Sequence, residues 1–254
     1  MARRSVSRGF CVGSSVSAMS TPPTPLSVHQ PPGHVRGGIV VVQEAFGVND
    51  HIESLCRRIA DAGYVAVAPH LFHRTGDPKL GYDDFSKVAA HFSAVSAESI
   101  DEDLGVAFDH LEQAGIQPAS TGIVGFCMGG TIALITAAKR PLGAAVTFYG
   151  GGVIKGRFGM PSLVDAAPGL GTPWLGLYGD LDTGIAIDEV EALRAAAATA
   201  GVATEVVRFA DADHGFNCDV RASYNADAAT EAWQRMLDWF DRYLVDQTST
   251  ASTP

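Results

Sequence analysis

Residues 121–138 read Thr121-Gly-Ile-Val-Gly125-Phe-Cys127-Met-Gly129-Gly130-Thr131-Ile-Ala-Leu-Ile-Thr-Ala-Ala138. The first five are an apolar strand candidate, and Thr131–Ala138 is an uncharged helix candidate. Between them lies a turn so tight that its flanking residues must be small, which accounts for Gly125 and Gly129. Such a strand–turn–helix pushes the side chain at Cys127 up at the end of a sheet and aims the helix N–H groups at it. A helix N-terminus favours a thiolate and can help bind an oxyanion. The pattern is a G-x-C-x-G version of the nucleophile elbow. Taken alone it is also compatible with a glycine-rich turn around a buried, inert cysteine.

Outward from this stretch the chain alternates strands and helices. Gly38–Gln43 is a continuous apolar run, as expected of a parallel strand covered on both faces. Asp50 with Glu53 forms a capping-box pattern. It opens a helix whose Ile52, Leu55, Cys56, Ile59 and Ala60 fall on one stripe. Gly63 closes that helix, and Tyr64–Ala68 is the next strand. Similar stripes run through Ile100, Leu104, Phe108 and Leu111, and through Trp233, Met236, Leu237, Phe240 and Leu244. Further strands are expected at Ala144–Phe148, Trp174–Tyr178 and Thr204–Phe209. The alternation predicts one α/β domain over residues 27–246, a mostly parallel sheet with helices on both faces.

Ligands of open α/β sheets bind beyond the carboxyl ends of the strands. After Trp174–Tyr178 come Asp180 and Asp182, and after Thr204–Phe209 comes His214. The order nucleophile, acid, base is that of the α/β-hydrolase triad. His214 would accept the thiol proton and later activate water, and an aspartate would hold the imidazole tautomer. Spacing alone leaves Asp180 and Asp182 as rivals. Glu44 follows an apolar strand, where an unpaired charge is costly unless it has a task, although a solvated strand-end glutamate reads the same way. Of the eight histidines, the seven besides His214 read as ordinary surface or core residues, although His70 and His73 follow a strand and could line the cleft.

The sequence resembles the dienelactone hydrolases, a cysteine-nucleophile branch of the α/β hydrolases, from about Arg36 to Leu244. The likeness rests on Gln43-Glu44-Ala-Phe-Gly-Val-Asn49, Gly63-Tyr64, Gly125-Phe-Cys-Met-Gly-Gly130, Tyr149-Gly150, the Gly179-x-x-Asp182 turn and His214-x-Phe216. The resemblance implies Cys127 as nucleophile, Asp182 as the acid and His214 as the base. It places Glu44 beside the thiol, helping to control its ionisation, and forms the oxyanion hole from the backbone N–H groups of Ala45 and Met128. It also exposes a departure. Family members acting on a chlorocatechol-pathway lactone grip its carboxylate with two arginines. One lies four residues after the base, here Cys218, and the other lies on a helix where Tyr82–Phe92 offers Lys87 and no arginine. Arg221 could substitute from the next loop. Phe46, Tyr149, Phe216 and Tyr224 suggest an aromatic pocket wall, and each is equally compatible with the core.

The 254 residues carry 18 Lys+Arg against 28 Asp+Glu, a net charge of −10, with 46% apolar residues. That apolar fraction excludes an intrinsically disordered protein, and the acidity opposes a nucleic-acid or anionic-membrane partner. The first 43 residues hold four arginines and no acid, so the remainder, with 14 basic and 28 acidic residues, stands at −14. Together with the missing arginines, this argues mildly for a neutral substrate. Residues 1–26 are expected to form a disordered tail, with a twin-arginine signal at Arg3-Arg4 or a start at Met19 as other readings, and 247–254 a second tail. The spacing of Cys11, Cys56, Cys127 and Cys218 fits neither a disulfide framework nor a zinc knuckle and points to a reducing, cytoplasmic setting. The run from Gln113 to Ala138 is too interrupted by glycine and proline to be a membrane span. The expectation is a hydrolase acting on a small ester, lactone or thioester as a monomer or small homo-oligomer, with no metal or organic cofactor. The alternative is a non-catalytic thiol-sensing or ligand-binding protein in which Cys218 faces Cys127.

Overall fold

The computed structural model describes residues 23–83 and 85–246. The tail beyond residue 246 and the readings built on Arg3-Arg4 and Met19 lie outside these residues. Seven strands form a single sheet: β1 (Leu26–His29), β2 (Gly37–Val42), β3 (Tyr64–Pro69), β4 (Thr121–Phe126), β5 (Ala144–Phe148), β6 (Trp174–Gly179) and β7 (Thr204–Phe209). Their spatial order is β1-β3-β2-β4-β5-β6-β7, and all pairings are parallel except β1 with β3. Beyond the strands are α1 (Asp50–Asp61), α2 (Phe85–Phe92), α3 (Ala97–Gln113), α4 (Met128–Lys139), α5 (Leu163–Ala166), α6 (Ile187–Ala197) and α7 (Ala226–Tyr243). No described helix is long and apolar enough to cross a membrane.

Alternation along the strands divides the core in two. Val40 and Val42 face one side, where they join residues of α3, α4, α5 and α6. Ile39 and Val41 face the other, against α1 and α7. All six residues of β2 are buried, which is why the strand reads as a continuous apolar run rather than an alternating one.

Two expectations, for the tail and for the cap of α1, are corrected, while His70 and His73 prove to be the ordinary residues they were read as. β1 is an antiparallel edge strand that begins at Leu26, inside the stretch assigned to the tail, and Thr24 is buried with its hydroxyl 2.5 Å from Asp103 Oδ1. Four residues after a proline-rich segment carry too little periodicity to announce a strand; pairing with β3 creates it. The N-cap of α1 is Asn49 rather than Asp50: its extended backbone lets the side chain accept from the Ile52 N–H at 3.2 Å. His70 and His73 bind into structural networks away from the cleft described below. His70 bridges Ser27 and Asp77, and His73 pairs with the buried Asp103.

Candidate active site

In the strand order, β2 leads to β3 on one side while β4 lies on its other side, so the sheet has its topological switch between β2 and β4. Open sheets bind ligands in the crevice at such a point. The register pairs Val42 with Gly125, which carries Glu44 and Ala45 out beside Cys127 and Met128. Cys127 itself sits at φ 54° and ψ −113°, a left-handed conformation that costs a non-glycine residue energy and clusters at functional sites. Its N–H donates to the Phe148 carbonyl at 3.0 Å, and its own carbonyl accepts from Gly130 and Thr131, the first turn of α4. The crossing has no room for side chains. A Cβ on Gly125 would collide with the Gly129 carbonyl, and one on Gly129 with the Val42 carbonyl.

The structure separates the two aspartates that spacing left open. Asp180 is held by Arg208 in a bidentate pair of 2.6 and 2.8 Å. Asp182, almost fully buried, places Oδ2 at 2.6 Å from His214 Nδ1, while its Oδ1 accepts from the Gly184 N–H at 2.8 Å. The same imidazole interacts with the Cys127 side chain, and both line one cleft. Burial works against a charged His214, but the hydrogen bonds to Asp182 and Cys127 and their charges outweigh it, raising the imidazole pKa to about 10. Thiol, imidazole and carboxylate are thus brought together in one cleft, with a proton held on His214 at neutral pH.

Cys127 and His214 open into a cleft of about 450 Å³, and Ala45 and Met128 line the same wall. Met128 is the first residue of α4, so its N–H has no partner within the helix. The Ala45 N–H donates to no backbone carbonyl among the described residues. The aromatic lining comes from Phe85 and Phe92 of α2 and from Phe158. Phe46, Tyr149 and Phe216, expected on the wall, are buried beneath it, with the Tyr149 ring centred 5.1 Å from the His214 ring and tilted 60° to it. Tyr224 lies in a separate depression with His51 and Arg58. The stripe Phe85, Val88, Phe92 was legible as an amphipathic face, but periodicity does not tell whether a face meets a core or a cleft.

Charges are also placed differently from expectation. Glu44, fully buried, accepts at Oε2 from the Tyr82 hydroxyl at 2.8 Å and has Arg221 Nη1 at 3.7 Å from Oε1. Arg221 is correspondingly committed to Glu44 and the Tyr82 ring and is absent from the cleft lining. The cation on the cleft wall is Arg157, in the irregular segment after β5, and no ion pair among the described residues involves it. Sequence reasoning missed it because a loop arginine has no periodic signal. Cys218 is buried with Glu44 and His51, and Cys56, Cys127 and Cys218 are all free thiols.

The dienelactone hydrolase family model matches residues 26–244, and that span takes in every strand and each of these site residues. The chain belongs to the dienelactone hydrolase family. A Yersinia pestis protein named as a carboxymethylenebutenolidase is 40% identical over 213 residues, covering 82% of this chain and 78% of its own. An Escherichia coli O157:H7 protein of the same name is 41% identical over 211 residues, covering 81% and 76%. The crystal structure of a Klebsiella pneumoniae protein named as a dienelactone hydrolase superposes with a TM-score of 0.79 at 39% identity, covering 87% of this chain and 93% of that one. As a dienelactone hydrolase relative the chain is a hydrolytic enzyme, and its single parallel-sheet domain is the α/β-hydrolase fold of that family.

Proposed function

We propose that this enzyme hydrolyses a small carboxylic ester, lactone or thioester through an acyl-enzyme on Cys127. The observation that carries this reading is the convergence of Cys127, His214 and Asp182, the last two hydrogen-bonded at 2.6 Å, in one cleft whose wall includes Ala45 and Met128. His214 holds the proton drawn from the thiol, and the sulfur attacks the substrate carbonyl carbon. The resulting oxyanion lies against the N–H groups of Ala45 and Met128. Collapse expels the leaving oxygen or sulfur, which receives the proton from His214. Water then gives a proton to the same imidazole and attacks the thioester, releasing the acid and restoring the thiol. Asp182 stabilises the imidazolium throughout and fixes its tautomer.

Arg157 favours a substrate with an anionic substituent, reversing the inference from charge balance. A guanidinium at the cleft is the group a carboxylate needs. The name carboxymethylenebutenolidase borne by the relatives describes a lactone with a carboxylate substituent, which supports the same reading. Two measurements test it. Cys127→Ala abolishes turnover of p-nitrophenyl acetate; a variant with wild-type rate would remove Cys127 as nucleophile. Arg157→Met raises KM about tenfold for a carboxylate-bearing aryl ester and leaves a neutral ester of equal size unchanged. Equal effects on both esters would remove the anion site.

A further inference from the structure

We propose that Glu44, His51 and Cys218 form a binding site for one divalent transition-metal ion of the zinc class, separate from the hydrolytic row. The residues come from the end of β2, the first turn of α1 and the loop after β7. Each offers one ligand atom, these atoms lie within 4.8 Å of one another, and all three residues are buried. An oxygen, a nitrogen and a sulfur form a donor set suited to zinc, with a fourth position left open. The sulfur selects against magnesium and calcium, which take oxygen ligands.

The second observation is a concentration of unsatisfied polar atoms. Among the described residues five buried side-chain atoms have no hydrogen-bond partner, and Glu44 Oε1 and His51 Nε2 are two of them. Asn217 Nδ2, in the residue next to Cys218, and the hydroxyl of Tyr149, which feels the charges of Glu44 and Cys218, are two more. Leaving such groups unpaired in a folded interior is costly, and native structures pair them with protein, water or an ion. A metal ion accepting Glu44 and His51 resolves two of the four at once. Around a tetrahedral ion with bonds of about 2.0–2.3 Å, ligand atoms stand roughly 3.3–3.8 Å apart. The cluster therefore closes by about an ångström, within reach of a side-chain rotation of Glu44.

The Arg58 and Arg221 guanidinium groups act on His51 and oppose a cation there, so the ligands themselves must supply the balancing charge. On binding, the Cys218 thiol releases its proton to solvent as the sulfur–metal bond forms, so two anionic ligands balance the dication. Arg221, at 3.7 Å from Glu44 and outside hydrogen-bonding range, stays as an outer partner of the carboxylate. The Asp219 carboxylate, 3.8 Å from His51 Nδ1, stands where an orienting group for a ligating imidazole belongs.

The test uses the full chain, stripped with a chelator and dialysed against micromolar zinc, with bound metal counted by elemental analysis. Cobalt in place of zinc adds the near-ultraviolet sulfur-to-metal absorption as a second readout. Wild type is expected to hold one metal per chain with the cobalt–sulfur band. Cys127→Ala keeps both, whereas Cys218→Ser and His51→Gln each lose the band and bind at least about a hundredfold more weakly. Circular dichroism of each variant verifies the fold, and either folded variant decides the matter. Wild type with no bound metal would overturn the proposal in favour of a buried water. A band lost in Cys127→Ala but kept in Cys218→Ser would overturn it in favour of a metal in the cleft. None of these outcomes depends on Cys127 being the nucleophile, which the ester assay judges separately.

Discussion

Replacing Asp182 and Asp180 in turn by asparagine, a change of nearly constant shape, separates the roles proposed for the two carboxylates. Asp182 accepts on both oxygens, from His214 Nδ1 and from the Gly184 N–H. An asparagine has one oxygen and one NH₂, so it satisfies only one of these donors. If its oxygen stays on Gly184, the NH₂ faces Nδ1 and stabilises the tautomer that carries the proton on Nε2. That tautomer has no lone pair left to receive the thiol proton. In a triad, loss of the orienting carboxylate costs up to about 10⁴ in kcat. For Asp182→Asn we expect kcat/KM to fall by about 10² to 10⁴, equivalent to about 2.7–5.5 kcal/mol of transition-state stabilisation. Asp180→Asn removes one partner of Arg208 and leaves the other, Glu191 at 2.7 Å. That pair is partly solvent-exposed, so the stability cost is small and kcat/KM stays within about threefold. Initial rates of p-nitrophenyl acetate hydrolysis, with thermal melts of all three proteins, decide the comparison. A large rate loss in Asp180→Asn with little in Asp182→Asn would refute the reasoning, as would two equal losses.

Other outcomes follow from the same geometry. The folded-state pKa of His214, about 10, lies above its unfolded value of 6.5. The native state therefore binds the extra proton between these limits, and its stabilisation is complete below about pH 6.5 and lost as pH rises through about 10. The melting temperature of the wild type falls across this window, and Asp182→Asn flattens the fall; parallel curves would contradict the assignment. Gly125→Ala forces a Cβ onto the Gly129 carbonyl and costs more than about 3 kcal/mol, or yields no folded protein. Gly105→Ala, inside α3 with open space at its Cβ, raises stability by about 0.5–1 kcal/mol, and denaturant midpoints report both changes.

The residues that carry strong local chemistry were the legible ones. Gly125 and Gly129 announced a turn because a Cβ there is sterically impossible, and a turn that tight fixes where the next side chain goes. The stripe Ile52, Leu55, Cys56, Ile59, Ala60 announced α1 because helical periodicity is a property of neighbouring residues alone, and all five are buried. Edge strand β1 was not legible, since its conformation is set by hydrogen bonds to β3, some forty residues away in the chain. The same holds for Asp180 and Asp182, which are equivalent as sequence and become different only when Arg208 and His214 arrive beside them.

The sequence by itself therefore determined the alternation of elements, the parallel sheet and the loops that bear the chemistry, because turn sterics and hydrophobic period act over a few residues. Only the tertiary structure decided which charges meet. It sent Arg221 to Glu44, brought Arg157 to the cleft wall, buried Tyr149 under His214, and gathered Glu44, His51 and Cys218 from three distant segments. Electrostatics and coordination depend on distances of a few ångströms through space, and spacing along the chain does not encode them.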